Sequence, residues 1–158
     1  MKRAISALAF VLFLLLGLSV PAAAGGESDP TVGGDERVSV MAGPCGSSYR
    51  HIGHYPIGSS PVLGYMDVYW SSTAKRNCLV VNHSSATYGK RLYTEASIWP
   101  YGSSAPSCPS SVGCDGGMYG YYAGPVYTPA GVDMSNRCVN IKGVVDWTTA
   151  TRTRIHCG

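Results

Sequence analysis

Beyond residue 24 the chain has no phenylalanine: Phe10 and Phe13 both fall in the N-terminal apolar run. A core must then form without the bulkiest purely apolar ring, and all remaining aromatics, eleven tyrosines and three tryptophans, carry a polar group. Such rings pack in sheets and also populate contact surfaces, because they supply area while the hydroxyl or indole N–H stays wet. Charge is sparse too, at 13% of residues, and the net of +3 falls to about +1 without Lys2 and Arg3. That excludes the basic footprint that holds a phosphate backbone, so no nucleic-acid partner is expected. No second apolar stretch approaches the roughly 20 residues of a spanning helix, so membrane insertion is not expected either. The chain has no C-x-x-C pair and no G-x-S-x-G elbow, and Asp115-Gly116-Gly117 lacks the alternating oxygen ligands of a calcium loop. These absences remove the usual signatures of a zinc site, a serine hydrolase and a calcium site.

What is present begins with an export leader. Lys2 and Arg3 precede an apolar run from Ala4 to Val20, and Ala22-Ala23-Ala24 before Gly25 gives the small-x-small pattern that signal peptidase accepts. The expectation is a secreted protein, cut after Ala24 and found outside the cell or on its surface. Its six cysteines, Cys45, Cys78, Cys108, Cys114, Cys138 and Cys157, then mature in an oxidising space. An even number in a small exported chain implies a disulfide framework. Locality pairs Cys108 with Cys114 and Cys138 with Cys157 and leaves Cys45 with Cys78, one pairing among the fifteen that six cysteines permit.

Residues 25–43 read as a flexible arm, because GGESDPTVGGDE offers a single valine against its ordering entropy. Within the arm, Arg37 to Met41 alternates as a short strand would, and Val38 and Val40 are candidates for pairing with the domain or with a partner's sheet. Residues 44–158 read as a single all-β domain, a small disulfide-stapled sandwich or barrel. Val62–Trp70 is its best strand, with Met66, Val68 and Trp70 on one face and Tyr65, Asp67 and Tyr69 on the other. Cys78–Asn82 reads as the returning strand and Arg91–Trp99 as another. Cys138–Lys142 and Val144–Thr149 read as two more, divided at Gly143. Pro100–Gly117, rich in Gly, Pro and Ser, reads as a long surface loop with Cys108 and Cys114 stapling its tip, a natural place for recognition.

No constellation points to catalysis. Asp67, Glu95 and Asp146 are the strand-borne carboxylates, and isolated strand acids are more often solvated or ion-paired than catalytic. His51-Ile52-Gly53-His54 spaces two imidazoles as a helix could use for one metal, but Gly53 and Pro56 oppose a helix and no Glu stands between them. The segment reads as a surface loop, and no metal is expected; Asn82-His83-Ser84 reads as a turn. The chain is expected to be a non-enzyme without a cofactor. Its contact candidates are Tyr119, Tyr121, Tyr122 and Tyr127, four tyrosines around a Gly-Pro break, with Trp70 and Trp99 as rings that could stack on a glycan.

Cys45-Gly46, the Val/Tyr-rich strand, Lys75-Arg76-Asn77-Cys78-Leu79-Val80-Val81, Tyr121-Tyr122-Ala123-Gly124-Pro125-Val126, Arg137-Cys138-Val139 and His156-Cys157-Gly158 occur in that order. In this the chain resembles the spore-associated protein A family, small exported proteins of actinomycetes, over nearly the whole domain. The resemblance implies a β-rich secreted protein found with aerial hyphae or spores, with Cys45, Cys78, Cys138 and Cys157 as framework cysteines and no family active site. Against that pattern, Pro100–Gly117 stands as an insertion, and Asn140-Ile141-Lys142-Gly143 replaces a Trp-Gly-Gly. The leading expectation is surface association with a protein partner or a cell-surface component. The alternatives are an adapter that uses the arm and a glycan-binding module.

Overall fold

A computed structural model describes residues 43–158. Residues 1–42, which hold the expected leader and the expected arm with Val38 and Val40, lie outside the described residues. Within them all regular structure is β, in nine strands: β1 (Arg50–Ile57), β2 (Gly64–Ser71), β3 (Arg76–His83), β4 (Leu92–Pro100), β5 (Ser110–Ser111), β6 (Cys114–Tyr119), β7 (Tyr122–Tyr127), β8 (Val139–Val145) and β9 (Thr148–Ile155). They form two antiparallel sheets, one in the order β1-β2-β3-β7 and the other β5-β6-β4-β8-β9. Among the described residues no helix is long and apolar enough to cross a membrane.

Period-two alternation decides which residues meet between the sheets. Met66 and Val68 of β2 and Leu79 and Val81 of β3 face inward and join Ala96 and Ile98 of β4 and Val139, Ile141 and Val145 of β8 in one core. The opposite face of β3 is also covered, where Cys78 and Val80 pack under Cys45, Tyr49, Tyr69 and Tyr127. That is why β3 is apolar on both faces. Three disulfides, Cys45–Cys78, Cys108–Cys114 and Cys138–Cys157, close the framework, and they are the pairs that locality selects. The first clips the segment before β1 to β3, and the third ties the C-terminal end to the entrance of β8.

The structure corrects four readings. Gly143 does not divide two strands: it lies inside β8, opposite Ala150 of β9, and the reversal falls at Asp146-Trp147. Both turn residues have positive φ, 49° and 61°, as a two-residue type I′ hairpin requires. Gly143 is instead a packing glycine, since a Cβ there would lie 2.6 Å from Met66 Cγ and 2.7 Å from Ile57 Cδ1. The His51–His54 segment is not a loop but part of edge strand β1, interrupted by a bulge between His51 and Gly53. Gly53 leaves room there for the His156 ring, since a Cβ would lie 2.6 Å from its Nε2.

Thirdly, the Pro100–Gly117 loop is shorter than its composition suggests. Its second half supplies β5 and the start of β6, where Gly116 and Gly117 pair with Glu95 and Thr94. Those glycines make room for rings, since a Cβ on either would lie 3.1 Å from Tyr93 or Tyr119. Lastly, His83 is a buried end of β3 and not a turn residue. Its ring nitrogens lie 3.1 Å from the Thr87 carbonyl oxygen and 2.7 Å from Thr94 Oγ1, which links β3 in one sheet to β4 in the other.

Candidate functional site

Strands β6 and β7 belong to different sheets, so the chain turns sharply between them at Gly120-Tyr121. This turn is fastened to the β3–β4 connection by backbone bonds, from His83 N–H to the Tyr121 carbonyl and from Gly89 N–H to the Gly120 carbonyl, each 2.8 Å. Tyr88 thereby meets Tyr121 edge to face, with ring centres 4.9 Å apart. Tyr88, Tyr121 and Tyr122 are 68%, 54% and 51% exposed, so at least half of each residue faces water. Beside them Asp115, Tyr119, Gly120, Tyr121, Tyr122 and Gly124 line a depression of about 390 Å³.

Asp115 acts there as a brace. One carboxylate oxygen accepts from the Tyr119 hydroxyl and the other from the Gly124 N–H, both at 2.7 Å. The hydrogen bond to Asp115, with burial second, pushes the Tyr119 phenol up from its ordinary pKa, so it stays a neutral donor. With both oxygens committed to the hairpin, the carboxylate anchors the surface. The assembly presents ring faces and hydroxyls on fixed backbone, which suits it to binding.

Of the tyrosines singled out in the sequence, Tyr119, Tyr121 and Tyr122 come together and Tyr127 does not join them. Tyr127 packs edge-on against Tyr49 at 5.5 Å, lies under the Arg76 guanidinium at 5.2 Å, and donates its hydroxyl to the Cys45 carbonyl at 3.2 Å. It therefore belongs to the Cys45–Cys78 clip. Trp70 is half-buried against the main core and lines a second depression, of about 370 Å³, with Ile52, Asn77 and His156. Trp99 is half-buried on β4, opposite Asn140. The Cys108–Cys114 staple is not a protruding tip, because Cys114 is buried and both sulfurs sit 3.1–3.2 Å from Ser97 Oγ, against β4.

Sequence reasoning missed three features. Tyr88 reached the aromatic face through backbone bonds that no local pattern displays. Trp147, 75% exposed, stacks flat on Tyr93 at 4.5 Å and 3°. An Asp-Trp pair between two alternating runs was the available clue to its place in a turn. Finally, His51, His54 and Asp67 converge on the outer face of the first sheet. His54 is the cross-strand partner of Asp67, and the bulge after His51 turns that ring to the same side. His51 Nε2 and His54 Nδ1 lie 2.9 and 2.7 Å from the same Asp67 oxygen, while Asn82 Nδ2 donates to the other at 2.8 Å. Burial raises the Asp67 pKa, but the hydrogen bonds from His54, Asn82 and His51 outweigh it and hold the carboxyl below its ordinary value.

Glu95 occupies a comparable place on the second sheet. It is buried, accepts from Ser97 at 2.9 Å and Tyr93 at 3.1 Å, and pairs with Lys142 at 2.6 Å. Nearby Cys108 and Cys114 are spent in their disulfide, so this group is an ion-paired strut. Asp146 sits in the β8–β9 turn, and the three strand-region acids fall in three separate settings. No family model, curated protein or solved structure matches this chain.

Proposed function

We propose that this is an exported, non-catalytic protein that works by surface association at a cell or spore envelope, with the face made by Tyr88, Tyr121 and Tyr122 as its contact. The observation that carries the reading is this face itself: three exposed tyrosines, Tyr88 and Tyr121 on turns that are bonded to each other and Tyr122 at the start of β7. Rigid aromatic residues lose little conformational entropy on binding and supply much of the energy at protein contacts. Three disulfides agree with an oxidising destination outside the cytoplasm. The spore or hyphal envelope as the place of action rests on the resemblance described above.

The test is adsorption of the mature protein to washed actinomycete spores and hyphal walls, with and without soluble wall polysaccharide. Truncating Tyr121 or Tyr122 to Ala is expected to cost about 1–2 kcal/mol each, roughly 5- to 30-fold in affinity. Undiminished adsorption of the double variant would refute the assignment of this face. Competition by the polysaccharide would transfer the contact from protein to glycan.

A further inference from the structure

The geometry points to a divalent-cation site of the zinc class at His51, His54 and Asp67, on the outer face of the β1–β2 ladder. It is independent of the tyrosine face. The three side chains each offer one ligand atom, and these atoms all lie within 4.8 Å of one another. Two imidazoles and one carboxylate form a borderline donor set that zinc accepts in tetrahedral sites, with water in the remaining position.

Three features favour a cation over a plain hydrogen-bonded cluster. The first is the bulge: residues three apart on a regular strand face opposite sides, and only the extra residue between His51 and Gly53 brings both rings over Asp67. Secondly, both rings aim at one oxygen, Oδ1, while Asn82 ties down Oδ2, as an outer partner does when it orients a ligating carboxylate. Thirdly, aromatic neighbours hold the rings: His54 stacks on Tyr65 at 4.3 Å, and His51 meets Tyr69 edge-on at 5.1 Å.

Bonds of about 2.1 Å at tetrahedral angles separate ligand atoms by ~3.4 Å. The present separations of 2.9 and 2.7 Å need to open by about 0.5 and 0.7 Å to reach that value. The histidine side chains, flanked by a ring on one side, are 47% and 52% exposed and have solvent on the other side into which to make that shift, whereas Asp67 is 12% exposed. On binding, each imidazole presents a lone pair where it now points toward the carboxylate and carries its proton on the other nitrogen. The ion takes up the negative charge of Asp67 and keeps one face open to solvent.

The test uses untagged, chelator-stripped mature protein with its disulfides intact, titrated calorimetrically with zinc, and with cobalt as a visible-absorption probe. One ion per chain is expected, with His51→Gln, His54→Gln and Asp67→Asn each weakening binding at least ~10-fold. The histidine variants alter half-exposed side chains and carry the test should Asp67→Asn fail to fold. No saturable one-per-chain binding, or unchanged affinity in both histidine variants, overturns the site.

Discussion

Gly143→Ala tests whether this glycine is required by packing between the sheets. Its φ lies outside the left-handed region, so alanine is permitted by the backbone, and in a strand that faced open space the change would be neutral or mildly favourable. Here the new methyl would sit 2.6 Å from Met66 Cγ and 2.7 Å from Ile57 Cδ1, both on residues with no exposed surface. Ordinary carbon contacts begin near 3.5 Å, so the two sheets must part or two core side chains must leave their rotamers. Overpacking of this kind costs about 1–3 kcal/mol. For a domain of this size that is a fall in melting temperature of about 4–12 °C. The assay is thermal and urea unfolding of the oxidised protein, run as a double-mutant cycle with Met66→Ala. The second substitution alone should cost about 2–5 kcal/mol, yet it vacates the space the new methyl needs, so the pair should be less destabilised than the sum by about 1 kcal/mol. A neutral Gly143→Ala, or strict additivity, would refute the packing role.

Removing the disulfides one at a time, as paired Cys→Ala changes, should rank by the loop each closes, with sequence separations of 33, 19 and 6. Loop-closure entropy gives about 3.7, 3.2 and 2.2 kcal/mol for Cys45–Cys78, Cys138–Cys157 and Cys108–Cys114, and urea midpoints in the reverse order would contradict it. Acid should also weaken the fold through Glu95. Burial raises its pKa, but Lys142, Ser97 and Tyr93 more than reverse this, so the folded-state pKa lies below the unfolded one. The stabilisation is then complete above the unfolded value and lost as pH falls through the folded one. Lys142→Met should flatten that decline in urea midpoints measured across the carboxylate range, and an unchanged pH profile would count against the pair.

The sequence was most legible where apolar residues alternate along a strand with polar or tyrosine residues, so that one face is marked for the core. Gly64–Ser71 shows this: Met66 and Val68 alternate with Tyr65, Asp67 and Tyr69, and the strand lies within a residue or two of its expected place. Legibility failed where glycine served a tertiary purpose. Gly143, Gly116 and Gly117 look locally like chain breaks, and only the side chains that occupy the space beside them, Met66, Tyr93 and Tyr119, explain why a Cβ is missing. Arg50–Ile57 was obscured for another reason. It is an edge strand with half of its residues exposed, and its histidines, glycine and proline dilute the apolar alternation. The His51–His54–Asp67 convergence was illegible because it depends on a bulge and on register with β2, neither of which a spacing of three residues encodes.

The four outer strands share a property that bears on how molecules of this protein crowd together. β1 is kinked and carries Pro56; β7 carries Pro125 within an irregular register; β5 has only two residues; and β9 is irregular and carries Arg152 and Arg154. Each margin is thereby a poor template for a neighbouring chain's backbone. At high density, copies should remain separate bricks instead of zipping into fibrils, with their lateral cohesion left to side chains.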